Sequence, residues 1–453
     1  MRFQSLITCL VLVCSATTAF AGQWKAGVAK VNISPTKPLR MGGYASRDRP
    51  ADGTLTDLWA KALVLQDDAG TRAVLITIDA IAMSRNLSAG VCRSLNEQFG
   101  LDRRSVALNV SHTHCGPAIG DLSFYRTFTD KQNQDLTAYT TDLQQKLVGV
   151  VGEALNRLAA AELSWGTGKA TFAVNRRNNR EASVPSLRAA GQLRGPVDHD
   201  VPVLFVRHVD GRMMAVVCGY ACHATTLSVY QISSDWPGYA QIELEKKYPD
   251  AIALTWIGCG GDQNPLPRRK VKYAQDYGRQ LADAVDKTQS GKTQSIEGKL
   301  VCSYAEIDMP FAKLPTREEL RQTLNSKNRY EVARATTLLQ RLERNGKLDS
   351  SYPYPVQVWK LGDGLTFVLL GGEVVVDYSL RLKHELGSDR TWVASYSNDV
   401  LAYIPSRRVL REGGYEGGGA MLYFGRPSPW ADGIERKIVT EVHRQVGMKT
   451  HGE

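Results

Sequence analysis

The sequence predicts an α/β protein: a single large catalytic domain of mixed sheets and flanking helices, with a metal site at strand ends. Three observations lead there. Short runs rich in Val, Ile and Leu alternate with helical periodicity along the whole chain, the pattern of sheets covered by helices. The 453 residues would allow two or three domains by length, yet no Pro/Ser-rich linker, repeat or low-complexity tract divides them. The polar residues with chemical potential gather at strand ends and in glycine-rich turns, where such folds place their sites.

Taken in order, Ala26 to Ile33, Ala60 to Gln66 and Ala73 to Ile78 read as strands. A helix over Asn86 to Phe99 stops at Gly100, and the strand Val106 to Val110 leads into two histidines. Asp135 to Ala159 is a long helical pattern. Val201 to His208 and Met213 to Tyr220 flank Asp210-Gly211, a hairpin signal. Helices are expected at Tyr239 to Lys247 and Tyr273 to Asp286, with a strand at Ala251 to Ile257 between them. Thr316 to Asn345 reads as one charged helix without glycine. Strands at Val356 to Leu361 and Thr366 to Leu370 turn at Asp363-Gly364. A helix at Val374 to Leu386, strands at Trp392 to Tyr396 and Leu401 to Ile404, and a helix near Gly433 to Val446 close the chain.

The first residues decide the compartment. Arg2, the apolar run Leu6 to Ala16 and the small-x-small end Ala19-Phe20-Ala21 form a secretory signal over residues 1–21, cleaved before Gly22. The domain then covers 22–453, secreted or periplasmic. A lipoprotein would need a small residue before Cys14, where Val13 stands. No apolar run reaches the roughly 20 residues of a membrane span, so membrane contact is at most peripheral. The net charge of +10 includes Arg2, and the remaining excess lies in short clusters such as Arg176-Arg177 and Arg268-Arg269-Lys270. No aromatic–basic motif accompanies them, which argues against a nucleic-acid partner. Beyond the signal lie Cys92, Cys115, Cys218, Cys222, Cys259 and Cys302. An even count permits disulfides in an exported protein, but most sit in apolar runs where free cysteine acts as a small hydrophobe. The pairing stays open.

Five segments carry chemistry. In Ser111-His112-Thr113-His114-Cys115-Gly116-Pro117, an extended backbone would turn both imidazoles to one face and Ser111 and Thr113 to the other. His223 ends an apolar strand, and Ser233-Ser234-Asp235 follows. Cys218 and Cys222 without a second pair do not make a zinc ribbon. Thr255 to Pro265 holds glycines at 258, 260 and 261 that let the backbone approach a neighbour closely; it lacks the Gly-Lys-Ser/Thr ending of a phosphate loop. Glu373 follows a hydrophobic strand. Asn398 to Pro405, with Tyr403, precedes a glycine-rich run, Gly413 to Gly419, that reads as a mobile cover.

In this order the segments resemble the neutral/alkaline (non-lysosomal) ceramidase family over nearly the whole chain after the signal. The resemblance rests on Ile33-Ser34-Pro35, Gly43-Tyr44, the His112 to Pro117 run, Asn175-Arg176, His223, Ser234-Asp235, Gly261-Asp262, Glu373, Tyr403 and Tyr415-Glu416. It implies a Zn2+ ion held by His112, His223, Glu373 and Tyr403, a ligand type that zinc accepts. It implies further that His114 acts in the same cavity without binding the ion, that Arg176 lies in the pocket, and that Tyr415 sits over it. Two departures stand out. Relatives that cleave ceramide carry Gly-Asp-x-Ser-Pro, whereas here Asn264 occupies the serine's place, and asparagine cannot carry an acyl group as a nucleophile. The chain also ends too soon for the extra C-terminal immunoglobulin-like domain of ceramidases proper. The expected function is a zinc hydrolase that cleaves an amide or ester with metal-activated water, acting on a small acylated or lipid-like molecule. The alternatives are a hydrolase of glycans or glycoconjugates, or a zinc-stabilised binding protein without activity.

Overall fold

In the computed structural model, residues 24–120 and 122–448 are described; the expected signal segment and its cleavage point lie outside them. Apolar strands buried on both faces build the larger sheet. From edge to edge it runs Ile252–Ile257, Met213–Tyr220, Asp200–His208, Ala159–Lys169, Trp24–Asn32, Trp59–Gln66, Arg72–Ile78 and Val106–Val110, with Gln294–Ser295 beside Ala159–Lys169. Only the outermost pairs are parallel. A four-stranded sheet follows in the order Leu300–Pro310, Ser351–Leu361, Leu365–Leu370 and Thr391–Ala394.

The two sheets pack face to face. Trp24, Leu63, Leu65, Trp165 and Trp256 of the first share one apolar cluster with Trp359, Phe367 and Trp392 of the second. The opposite face of the large sheet, including Ala62, Val64 and Ile76, is covered by Leu87, Val91, Leu143 and Leu147 from helices Arg85–Phe99 and Asp130–Asn156. Helices Asp235–Lys247 and Val271–Ser290 cover the same sheet. Helices Asp377–Leu386 and Ile434–Val446 cover the smaller one. The expected α/β domain with mixed sheets and flanking helices is thus observed as helix, sheet, sheet, helix layers. No described helix is long and apolar enough to cross a membrane.

Some elements differ from the reading of the sequence. The helix expected to end at Ala159 ends at Asn156, and a strand of 11 residues follows at once. The helix expected over Thr316 to Asn345 is two helices, Arg317–Thr323 and Arg329–Asn345, because the Asn328 side chain caps the second by accepting from the Tyr330 N–H. The segment after Leu370 first pairs Glu373–Val374 with Tyr403–Ile404 and becomes helical only at Asp377. The six cysteines in the described residues are free, five of them buried and Cys302 half-buried.

Candidate metal centre and active site

Six segments converge on one buried cluster. Val106–Val110 ends just before His112, and Met213–Tyr220 ends just before His223. The short parallel pairing of Glu373–Val374 with Tyr403–Ile404 sets Glu373 directly opposite Tyr403. The antiparallel pairing of Gln263–Pro265 with Ala173–Asn175 sets Asn264 opposite Val174 and so brings Arg176 beside it. Gly261 makes this crossing possible, because a Cβ there would lie 2.6 Å from the Glu373 carbonyl oxygen.

The two imidazoles of the His-x-His run do meet, but not by strand alternation. The strand stops at Val110, and His112 adopts φ 55°, a left-handed conformation rare outside glycine. That turn brings His114 Nε2 to 3.2 Å from His112 Nε2. Thr113 does face away, its hydroxyl donating to the Ser233 carbonyl at 2.6 Å.

Hydrogen bonding fixes which nitrogen of each ring faces the cluster. His112 Nδ1 donates to the Ile81 carbonyl at 2.6 Å, and His223 Nδ1 donates to the Gly260 carbonyl at 2.5 Å. A carbonyl only accepts, so both Nε2 atoms present lone pairs. Between them lies Glu373 Oε2, 3.2 Å from His112 Nε2 and 2.9 Å from His223 Nε2. The Tyr403 hydroxyl is 3.1 Å from His223 Nε2. The two ring nitrogens and the carboxylate are acceptors crowded together with no hydrogen between the carboxylate and either ring, and the Tyr403 hydroxyl is the one proton donor among them. A cation relieves that repulsion, and backbone carbonyls orienting ligand histidines are the usual outer support of such a site. The donor set therefore fits a metal ion.

Burial dominates the protonation of the cluster. Burial, aided by the Arg176 charge, pushes His223 down to about 4. Burial and the neighbouring His112 and His223 hold His114 well below its ordinary value. Burial, with Glu373 nearby, holds the Tyr403 phenol well above 10. Geometry groups His112, His114 and His223 as residues that can hold a metal, with ligand nitrogens within 4.8 Å of one another. His112 and His223 belong to this group and to the set the sequence suggests. His114 Nδ1 is buried without a hydrogen-bond partner.

Arg176 ties the remaining residues together. It donates from Nη2 to the Tyr403 hydroxyl at 3.1 Å, from Nη1 to Asn264 Oδ1 at 3.2 Å and from Nε to Glu416 at 2.7 Å. Asn264 Oδ1 is thereby engaged, and the amide Nδ2 is left as its donor. Tyr415 stacks edge-on over Tyr403 with ring centroids 5.3 Å apart, and at 46% exposed it forms the outer wall. The run around it is not the mobile cover expected. Residues 414–417 form a helical turn, and the buried Glu416 carboxylate bridges Arg176 and Arg177, each at 2.7 Å.

Sequence reasoning missed Tyr44, Arg47, Thr225 and Tyr396. The Tyr44 and His114 ring centroids lie 4.8 Å apart. Gly43 backs His114 so closely that a Cβ would lie 2.4 Å from the ring. Buried Arg47 donates to the carbonyls of Gly42, His114 and Val229, fastening three segments around the site. Tyr396 packs against His112 at 4.7 Å, and Thr225 lies beside Asn264. Tyr44, Arg47 and Thr225 come from loops without periodicity, Tyr396 lies just past the strand expected to end with it, and only Gly43-Tyr44 stood in a recognisable motif.

Fold and site together define an α/β protein with a buried, histidine-rich cluster able to hold a metal ion. The family model described as neutral/alkaline non-lysosomal ceramidase, N-terminal, matches residues 24–309, and the chain belongs to that family. Neutral ceramidase of Drosophila melanogaster is 27% identical over 235 residues, covering 50% of this chain and 32% of that protein. Neutral ceramidase of Pseudomonas aeruginosa is 24% identical over 251 residues, covering 54% of this chain and 37% of that one. The chain thus spans about a third of the length of these curated relatives. The crystal structure of the Pseudomonas aeruginosa neutral ceramidase superposes with TM-score 0.71 at 19% identity, over 95% of this chain and 76% of that one. That likeness establishes the fold.

Proposed function

We propose that this protein is an exported zinc-dependent hydrolase that cleaves an amide or ester bond of an acylated, lipid-like small molecule, N-acyl-sphingosine being one such substrate. The observation that carries the reading is the crowding of lone pairs around Glu373, which calls for a cation. His112, His223, Glu373 and Tyr403 would hold it, since imidazole and oxygen ligands with one open position suit a catalytic zinc. When bound, the ion supplies Lewis acidity and makes water nucleophilic near neutral pH.

The chain's own residues do the rest. His114, neutral and with one nitrogen free of partners, moves a proton at the reacting atoms or donates a hydrogen bond to the developing oxyanion. Asn264 offers its amide N–H for the same charge, held in place by Arg176. Arg176 also fixes the Tyr403 hydroxyl, and Tyr415 limits the entry of solvent. The hydroxyl nearest Asn264, that of Thr225, is directed to Asn264 Oδ1 at 3.5 Å rather than to the cluster. Asn264 carries only an amide, and Thr113 is fully buried with its hydroxyl committed to Ser233. Water is then the nucleophile, and no acyl-enzyme forms.

The test is turnover of a panel of N-acyl amides and acyl esters by purified protein, before and after chelation and after zinc is restored. Hydrolysis that is lost with the metal and recovers with zinc is expected. Hydrolysis undiminished in metal-free protein contradicts the reading.

A further inference from the structure

Two cavities of opposite character open from the cluster. Gly43, Tyr44, His114, Tyr403 and Tyr415 line both, so a molecule reacting there reaches into each. The first, about 260 Å3, is walled by Ile81, Leu122, Val400, Tyr423 and Phe424. Apart from the cluster's own His112, His114 and Glu373, none of its lining residues is ionisable except tyrosine. The second, about 680 Å3, is lined by four arginines and three glutamates, and Leu266 is its one aliphatic side chain.

The charges of the second cavity do not cancel. Glu416 pairs with Arg176 and Arg177, Glu412 with Arg177 and Arg408, and Glu181 with Arg268 and Arg269. Arg180 lines the same wall, is exposed, and has no ion-pair partner among the described residues. A hydrocarbon chain laid in this arm would strip water from charged groups without replacing their hydrogen bonds. An anionic group would instead meet an unpaired guanidinium, whose fork matches a carboxylate.

We propose that the substrate is two-sided: a modest apolar acyl group in the small arm, and an amine or alcohol leaving group that carries a carboxylate in the arginine arm, with Arg180 selecting the anion. This rests on the hydrolase reading for the orientation of the scissile bond, but the selectivity is a binding property and can be measured without turnover. Hydrolysis adds water across the bond, so the acid leaves from the apolar side and the anionic amine or alcohol, having gained a proton, from the other.

The experiment compares N-octanoyl-glutamate, N-octanoyl-ethanolamine and N-octanoyl-sphingosine with the full chain, zinc-free for binding and zinc-loaded for turnover. Binding is followed by calorimetry, and kcat/KM is measured alongside. The glutamate conjugate is expected to bind more tightly than the ethanolamide by up to roughly fivefold, the scale of one partly exposed ion pair. The margin should shrink with added salt. Arg180→Gln should remove it, and Arg180→Lys should keep most of it. Equal binding of the two conjugates overturns the proposal, as does tighter binding of the sphingosine amide, a margin that survives Arg180→Gln, or no binding of the glutamate conjugate. Anion-selective binding without hydrolysis of any of the three would instead sink the hydrolase reading and leave the selective arm standing.

Discussion

Replacing Glu416 by alanine should release the segment that walls the site. The carboxylate is 5% exposed and accepts from Arg176 Nε and Arg177 Nη1, each at 2.7 Å. Breaking a buried pair by removing one partner costs about 3–5 kcal/mol. Here the low end applies, because Arg176 keeps Tyr403 and Asn264 while Arg177 keeps Glu412 and the Gly413 carbonyl. A loss of about 3 kcal/mol raises the open population of residues 413–419 on the order of a hundredfold, and proteolysis there rises with it where reclosing is fast. Limited proteolysis with mass-spectrometric mapping reads this directly, and kcat/KM should fall in parallel as Arg176 loses its anchor. A pH series adds a second arm. Burial alone would raise the Glu416 carboxyl, but the Arg176 charge and the hydrogen bonds from both arginines hold it below its usual 4.5. Its contribution is therefore present above about 4.5 and is lost as pH falls through the depressed value. The unaltered protein should become cleavable at 413–419 only in that acid range, and the alanine variant at every pH. Cleavage at the same rate in both proteins at pH 7 would refute the argument.

The other predictions concern the cluster. His114→Ala should keep the metal while turnover falls on the order of a hundredfold or more, the scale of a lost acid–base or oxyanion group; joint loss of metal and activity in elemental analysis would place His114 among the ligands. Asn264→Ala should slow hydrolysis without releasing metal, and intact-protein mass spectrometry of the unaltered enzyme quenched mid-turnover should show no acyl adduct; a reproducible adduct on any side chain would defeat direct attack by water. Gly43→Ala should cost activity out of proportion to stability, since a Cβ 2.4 Å from the His114 ring at φ 89° must displace that ring; unchanged kcat/KM would show that the ring's position is not critical.

How far the fold could be read from the residues depended on burial. Val106–Val110 and Met213–Tyr220 lie where the apolar runs put them, because both strands are buried throughout. Ala159–Lys169 was hidden by its Ala-rich start, which continues the helical composition before it although Leu163 and Trp165 alternate inward. Leu300–Pro310 is an edge strand, largely half-exposed and with Val301 turned to solvent, so no apolar run announced it. In the site, the histidines and Glu373 stood out because each follows or ends an apolar strand, whereas Tyr403 came only with the family resemblance. The left-handed turn at His112 did not stand out, since a strand-like reading of Ser111 to His114 gives the same shared face by a different route. Nor did the pinning of 413–419, because glycine content suggests freedom, while the restraint comes from arginines more than 230 positions away.

On the proposed function, the lone pairs crowded between His112, His223 and Glu373, with the Tyr403 oxygen, hold one zinc ion. Elemental analysis of purified protein, alongside His112→Ala and His223→Ala, tests it most directly. About one zinc per chain is expected in the unaltered protein and none in either variant, because losing one ligand leaves the site incomplete. A metal-free protein with full activity, or variants still carrying a full complement of zinc, would contradict it.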